Sequence, residues 1–285
     1  YSDKNISAII TQNIDRSKLL DILISIFTIE EHHRNKHQRD MRHTDKDTAK
    51  KVPLTILIAE DNKINQKLAV SIFESMGYHP DVVENGLEVI TQVKKKKYDM
   101  IFMDIQMPEL DGFETTRHLI RTLEKRNCPV IIAMTAFALE GDKEKCIEAG
   151  MTDYISKPFV IDEILNVITT YGKINPGMNK IESAVVYKEN PNDFINSNVI
   201  QRLKELNEKV DPDFFQVVIN MFLQQSPHLI EEIEHYFKEG QYDKMGQAAH
   251  KLKGSSLNLG ASNLAELCKQ IEVKARKNEL SDIDR

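Results

Sequence analysis

Between residues 53 and 171, short apolar runs alternate with stretches in which apolar residues recur every three or four positions. Short runs bounded by turn residues are typical of buried strands, and the longer period is typical of amphipathic helices. Asp111 and Glu114 have the spacing of a residue pair that opens a helix. The alternation therefore predicts an α/β domain built on a parallel sheet. The clearest predicted strands are Leu54–Ala59, Ile101–Met103 and Val130–Met134.

Residues 195–285 show only the helical period. Successive apolar stripes each have the spacing of one helix face, and such faces pack together in an all-α bundle. We interpret the stripes as core rather than as a cofactor-binding surface. They span Val199–Leu206, Phe214–Phe222, Leu229–Phe237, Met245–Leu252 and Leu264–Ile271.

Three further segments lie outside these two predicted domains. Residues 1–28 contain a small strand-like run and an amphipathic helical stripe. Residues 29–52 are densely charged, and their histidines have no recognisable metal-ligand spacing, which favours a solvated linker. Residues 172–194 contain prolines and glycines with little periodicity, which predicts a second linker.

The composition narrows the classes of function. The chain has 285 residues, 41% hydrophobic and 29% charged, as expected for about two globular domains. A net charge of −6 gives no basic surface, so nucleic-acid binding is not expected. Runs of about 18 apolar residues are absent, so we expect no direct membrane insertion of this segment.

Cysteine usage and the first residue bear on the cellular setting. The three cysteines are scattered without CxxC spacing, which favours a reducing compartment and a cytoplasmic location. Because the chain begins with Tyr1 rather than Met, we expect a fragment of a longer protein, and that parent can itself be anchored in a membrane.

Polar side chains follow the predicted strands of the α/β domain. Because the carboxyl ends of parallel strands share one sheet edge, we expect Glu60, Asp61 and Asp104 to converge there with Thr135 and Lys157. Carboxylates at close quarters require a cation, and hard oxygen ligands suit Mg²⁺. Asp104 could then attack a phosphoryl group as a nucleophile. The alternative is that each residue only caps a helix or forms a turn.

A second candidate site lies in the helical part. His250, Lys253 and Gly254 have the i, i+3 and i+4 spacing of one helix face, separate from the apolar stripe, so we expect His250 to face solvent. A neutral imidazole can attack phosphorus, and Lys253 would offset phosphoryl charge. A glycine is costly inside a helix, and Gly254 is explained if a partner approaches closely. The alternative is an ordinary surface histidine.

Residues 53–171 resemble the receiver domain of two-component response regulators. The resemblance is carried by Glu60-Asp61, by Asp104 in Met-Asp-Ile-Gln-Met-Pro-Glu-Leu-Asp-Gly, by Met134-Thr135-Ala136 and by Lys157-Pro158. It implies a flavodoxin-like, doubly wound five-stranded sheet with strand order 2-1-3-4-5.

The same resemblance implies a role for each site residue. Asp104 is expected to accept phosphate. Asp61, Asp104 and the backbone carbonyl of Gln106 are expected to hold Mg²⁺, with Glu60 acting through water. Lys157 is expected to contact phosphate, and Thr135 and Tyr154 fall at the positions of the switch hydroxyl and switch aromatic.

Residues 195–285 resemble the histidine phosphotransfer (Hpt) domain. The run from Ala248 to Ala261 carries the signature His250, Lys253 and Gly254. The resemblance implies an Hpt helical bundle in which His250 exchanges phosphate with receiver aspartates, and in which Lys253 and Gly254 belong to the Hpt surface. Family members usually continue with a further helix, whereas this chain stops at Arg285. The resemblance therefore leaves open whether the bundle is complete or truncated.

The combination resembles the C-terminal region of a hybrid sensor histidine kinase. We expect a phosphorelay in which Asp104 takes phosphate from a kinase domain of the same or another chain, and His250 delivers it to a downstream response regulator.

Residues 1–28 resemble the tail of a degenerate receiver-like domain, in which Gln12-Asn13 occupy the place of Lys157-Pro158.

No GxG pair occurs, so we expect a phosphotransfer module without an ATP-binding kinase core, and its status as an enzyme stays undecided.

Two other functions remain open at this point. One alternative is a receiver scaffold that switches protein interactions without onward transfer. The other is a Mg²⁺-dependent aspartyl phosphohydrolase, although Gln106 stands where that chemistry needs a second aspartate.

Overall fold

A computed structural model of the protein describes residues 47–124, 127–135, 142–172 and 196–277. The predicted degenerate receiver tail, residues 1–28, lies outside the described residues. So do most of the two predicted linkers.

The N-terminal described part is built on five parallel strands in the order β2-β1-β3-β4-β5. This is the predicted fold, and all side chains of β1 and β3 are buried, as their continuous apolar runs indicate. In register, Ala59 pairs with Met103, and Asp104 pairs with Met134, so the strand ends share one edge. The strands are β1 Ile56–Ala59, β2 Asp81–Val83, β3 Met100–Asp104, β4 Val130–Thr135 and β5 Asp153–Ser156.

Side-chain caps start three of the helices between the strands. Asp111 accepts a hydrogen bond from the Glu114 amide at 2.7 Å, which confirms the predicted helix start. Asn62 and Asn85 cap two other helices in the same way. The helices are α1 Lys63–Ser75, α2 Gly86–Lys95, α3 Gly112–Thr122, α4 Asp142–Ala149 and α5 Ile161–Tyr171.

The last residues of the predicted 29–52 linker pack on the α/β domain. They form a single helical turn, Thr48–Lys51, followed by the buried Val52. The Val52 carbonyl accepts a hydrogen bond from the Tyr78 hydroxyl at 2.6 Å. The described chain therefore joins this domain a few residues earlier than Pro53, because Val52 supplies an apolar side chain to its core.

Four helices form the C-terminal described part, and each packs against the next. The predicted stripes on either side of Pro227 belong to one helix, because Phe222 and Leu229 stay in phase across the proline. The possible shortening of the bundle concerns residues beyond Lys277, which lie outside the described residues. The helices are α6 Ser197–Lys209, α7 Phe214–Lys238, α8 Tyr242–Asn258 and α9 Ser262–Lys277.

Helix α1 joins the two parts, since it packs against α6, α7 and α8. The helical domain therefore lies against the α/β domain at the helix that follows the Glu60-Asp61 strand end. Among the helices that the structure describes, none is both long enough and apolar enough to cross a membrane.

Candidate functional site

Three carboxylates meet at the carboxyl edge of the sheet, as predicted. Glu60 and Asp61 follow β1, and Asp104 ends β3, the strand beside it. One carboxylate oxygen from each lies within 4.8 Å of the others. Glu60 and Asp104 are buried and Asp61 is partly buried, so their charges are poorly screened by water.

A buried lysine neutralises two of these carboxylates. Lys157, just after β5, places its Nζ 2.6 Å from Glu60 Oε2 and 2.6 Å from Asp104 Oδ2. Burial alone would lower the pKa of the ammonium, but the charges of Asp104 and Glu60 outweigh it and raise the pKa. The Lys157 side chain therefore stays charged and holds the strand ends together.

The two carboxyls bound by Lys157 differ in their affinity for a proton. Burial, followed by the charge of Asp104, raises the pKa of Glu60 to about 8. Burial acts on Asp104 in the same direction, but Lys157 and His250 outweigh it and hold the pKa of Asp104 below its usual range. Asp104 is therefore ionised at neutral pH, as a nucleophilic carboxylate must be.

The other residues predicted for this edge lie around the carboxylates. Thr135 ends β4 and is buried, and its carbonyl accepts a hydrogen bond from the Lys157 amide at 2.7 Å. Tyr154 lies in β5 and packs against the core. The Gln106 amide donates to Asp104 Oδ1 at 3.3 Å. Among the described residues, the buried Gln106 Oε1 has no hydrogen-bond partner.

His250, on α8, was predicted to face solvent, but the structure buries most of its side chain. Its side chain is only 12% exposed, because the α/β domain and α9 lie against this face of α8. Its Nδ1 lies 2.6 Å from Glu272 Oε1, at hydrogen-bond distance. When Nδ1–H donates to Glu272, Nε2 is the ring nitrogen that keeps a lone pair.

Lys253 and Gly254 are buried as well, Gly254 against the receiver helix α1. Lys253 Nζ donates to Glu272 Oε2, so the lysine neutralises the same carboxylate that binds His250. A Cβ added to Gly254 would lie 3.1 Å from Asn65 Nδ2 of α1. The helix period placed these residues on one face correctly, but another part of the chain covers that face.

Glu272 was not identified from the sequence. Glu272 is buried on α9 in phase with Cys268 and Ala275. The sequence pattern that could have pointed to it was an acidic residue in phase with the apolar stripe. Burial raises its pKa, but the hydrogen bonds and charges of His250 and Lys253 outweigh burial and lower the pKa overall. Glu272 is therefore an ionised partner for both Lys253 and His250.

A cavity of about 380 Å³ connects the two parts of the site. It lies between the acidic sheet edge and helices α8 and α9. His250 lines the cavity together with Asp61, and a carboxylate oxygen of Asp61 lies within 4.8 Å of one of Asp104. The two residues predicted to carry phosphate therefore belong to one site. The lining includes Asp61, Gln106, Met107, His250, Lys251 and Glu272.

Family models match both parts of the chain. The response regulator receiver domain matches residues 56–169, and the Hpt domain matches residues 217–284. The polar-differentiation response regulator DivK of Brucella anthropi is 40% identical over 120 residues, which cover 42% of this chain and 97% of DivK. The chain belongs to the response regulator receiver family. An Hpt domain follows its receiver.

Longer relatives contain both domains. The signal transduction histidine-protein kinase BarA of Escherichia coli is 31% identical over 232 residues, which cover 79% of this chain and 24% of BarA. The chain thus spans about a quarter of that relative and is homologous to the C-terminal parts of hybrid histidine kinases. It carries the receiver and Hpt modules of a phosphorelay.

A solved receiver domain gives a further likeness. The receiver of sensor histidine kinase PA1611 from Pseudomonas aeruginosa was determined with a magnesium ion in its active-site cleft. It is 38% identical, with a TM-score of 0.39, and the match covers 41% of this chain and 96% of that receiver.

The acidic cluster of the present receiver fits a divalent ion on its own chemistry. Carboxylate and carbonyl oxygens are the ligands that Mg²⁺ prefers, and the three carboxylates each offer an oxygen within 4.8 Å of the others. The unpartnered Gln106 Oε1 adds a polar atom beside the cluster.

Proposed function

We propose that this chain relays a phosphoryl group from a kinase histidine through Asp104 to His250, for delivery to a separate response regulator. The observation that carries the proposal is that His250 of the Hpt domain lines the same cavity as Asp61 of the receiver, whose carboxylate lies within 4.8 Å of that of Asp104. The histidine kinase domain that supplies the group belongs to the same parent chain or to another.

In the first step, an Asp104 carboxylate oxygen attacks the phosphorus of a phosphohistidine. A P–O bond forms, the P–N bond breaks, and the electron pair returns to the kinase imidazole. Lys157, which holds Asp104 Oδ2 at 2.6 Å, is placed to bind the transferred oxygens, together with the Thr135 hydroxyl. Tyr154 is proposed as the aromatic that changes position after phosphorylation.

The residues of the acidic cluster would hold Mg²⁺ during this step. Asp61, Asp104 and the main-chain carbonyl of Gln106 are the proposed ligands, and Glu60 is proposed to act through water. When bound, the ion would neutralise negative charge on the transferring oxygens.

In the second step, His250 Nε2 attacks the phosphorus of the aspartyl phosphate. A P–N bond forms, the P–O bond breaks, and the Asp104 carboxylate is restored. Because Nδ1–H donates to Glu272, the ring becomes cationic as it is phosphorylated, and the Glu272 carboxylate balances that charge. Lys253 contributes by holding the second oxygen of Glu272.

Label transfer from a phosphorylated histidine kinase domain tests the proposal. The chain is incubated with the labelled donor and Mg²⁺, and acid-stable acyl phosphate is separated from alkali-stable phosphohistidine. The wild type is expected to carry label on His250, His250→Ala to retain label on Asp104, and Asp104→Ala to carry none. Receiver phosphorylation of Asp104→Ala by acetyl phosphate would contradict the assignment of Asp104.

The same experiment separates the two other functions. A receiver that only switches protein interactions would label Asp104 and never His250. An aspartyl phosphohydrolase would release inorganic phosphate from small phosphate esters, and His250→Ala would leave that release unchanged.

A further inference from the structure

One asparagine of the Hpt domain binds the receiver at two points. Asn258, the last residue of α8, accepts a hydrogen bond through Oδ1 from the Phe159 amide of the receiver at 3.1 Å. Its Nδ2 donates to Asn65 Oδ1 on α1 at 2.9 Å. Asn258 is only 3% exposed, so water does not replace either bond.

The hydrogen bonds continue from Asn258 to the phosphate-accepting residue. Asn65 Nδ2 donates to Glu60 Oε1 at 2.8 Å, and the other Glu60 oxygen accepts from Lys157, which also holds Asp104. Every side chain in this series is buried. The position of the Hpt domain is therefore coupled by direct contacts to the geometry of the receiver site.

Other contacts near Asn258 also join the receiver to the Hpt domain. The Asn62 side chain donates to the Lys251 carbonyl at 3.1 Å, and Gly254 lets Asn65 approach α8. Apolar side chains of both domains complete the contact and are buried. They include Leu68 and Ile72 of the receiver and Val199, Leu203 and Leu206 of the Hpt domain.

We propose that Asn258 is the positioning residue that fixes the Hpt domain on the receiver of its own chain, so that transfer from Asp104 to His250 is intramolecular. This inference rests on the proposed function. Replacing Asn258 by an apolar residue would leave the Phe159 amide and Asn65 Oδ1 buried without partners, which disfavours the docked arrangement. Tethered domains meet at a high effective concentration, so transfer within one chain outcompetes transfer between chains.

A mixing experiment tests whether transfer is intramolecular. Asp104→Ala chains and His250→Ala chains are combined with the labelled kinase domain, so that label reaches His250 only by transfer between chains. We expect the mixture to label His250 at less than a tenth of the wild-type rate. We also expect the wild-type rate constant for transfer from Asp104 to His250 to stay unchanged over a hundredfold dilution.

Substitution of Asn258 tests its role in docking. Asn258→Ala is expected to slow transfer to His250 at least tenfold, a much larger factor than any change in the rate at which acetyl phosphate phosphorylates Asp104. Hydrogen exchange of the Phe159 amide should become faster in the same variant. Asn220→Ala is the matched control, since Asn220 is exposed and accepts a hydrogen bond from Gln216 of its own helix.

A second variant covers the case in which Asn258→Ala disturbs folding. Gly254→Ala favours the helical conformation of α8 but places a methyl group against Asn65 Nδ2. It is expected to slow transfer without loss of helical content measured by circular dichroism.

The outcomes separate this inference from the proposed function. If the mixture labels His250 as fast as the wild type, or if both Asn258→Ala and Gly254→Ala transfer at the wild-type rate, the inference is overturned and the relay stands. If the wild type never labels His250, the proposed function fails and the inference fails with it.

Discussion

Lys251 Nζ of the Hpt domain lies 2.9 Å from Asp61 Oδ2 of the receiver. Asp61 is a proposed Mg²⁺ ligand, so a side chain from the neighbouring domain contacts the same carboxylate that the ion would use. Burial raises the pKa of Asp61, and the ion pair with Lys251 only partly offsets that effect. An ammonium and the proposed divalent cation would therefore compete for one carboxylate, which would link metal binding to the docking of the Hpt domain.

Lys251→Met is expected to tighten Mg²⁺ binding several-fold, because the substitution removes a competing positive charge beside Asp61. Isothermal titration with Mg²⁺ alone measures the change. Lys269→Met is the matched control, since Lys269 is a partly exposed lysine paired with Glu266 on α9. An affinity that is unchanged or weaker in Lys251→Met would show that Lys251 does not compete with the ion.

Lys157→Met is expected to lower the free energy of unfolding by about 3 kcal/mol in EDTA, because two buried carboxylates lose their shared cation. Mg²⁺ should restore part of the loss, since an ion that binds the folded state stabilises it. Urea unfolding followed by circular dichroism measures both values. Lys63→Met, which breaks an exposed ion pair with Glu84, should change stability by less than about 1 kcal/mol. Equal losses in the two variants would contradict this prediction.

The receiver site could be predicted because its residues stand at recognisable positions, at the ends of apolar runs. Asp104 closes an apolar run before a proline turn, and Lys157 closes the last strand before Pro158. Parallel strands then bring these ends together without any further information. The strand order itself came from the family resemblance, since short apolar runs do not specify which strands are neighbours.

The contacts between helices were not predictable in the same way. His250 was expected to face solvent because helical periodicity shows which face lies away from the local core, but not whether another domain covers it. Glu272 and Asn258 act through partners on other elements, and no local spacing marks those pairs. Phe214–Phe222 and Leu229–Phe237 were predicted as separate stripes, yet the apolar positions on both sides of Pro227 stay in phase along one 25-residue helix.

Pro227→Ala is expected to raise the free energy of unfolding by about 1–2 kcal/mol, because alanine restores an amide donor inside α7 and favours the helix. Part of the gain is offset, since the unfolded chain becomes more flexible without proline. Urea unfolding is the measurement, and Gln224→Ala, an exposed change on the same helix, should have little effect. A destabilised Pro227→Ala variant would mean that the proline makes contacts that offset its missing donor.

Glu272→Gln is expected to lower the free energy of unfolding by about 3 kcal/mol at pH 7, because the buried Lys253 and His250 lose their anionic partner. Since folding lowers the pKa of Glu272 from 4.5, its stabilising effect is fully present above that value and is lost as the pH falls through the lower, folded-state pKa. The difference between wild type and variant should therefore shrink as the pH is lowered below 4.5, as measured by urea unfolding across that range. Glu266→Gln, an exposed change on the same helix, is the control. A difference that persists undiminished at low pH would show that the Glu272 charge is not its source.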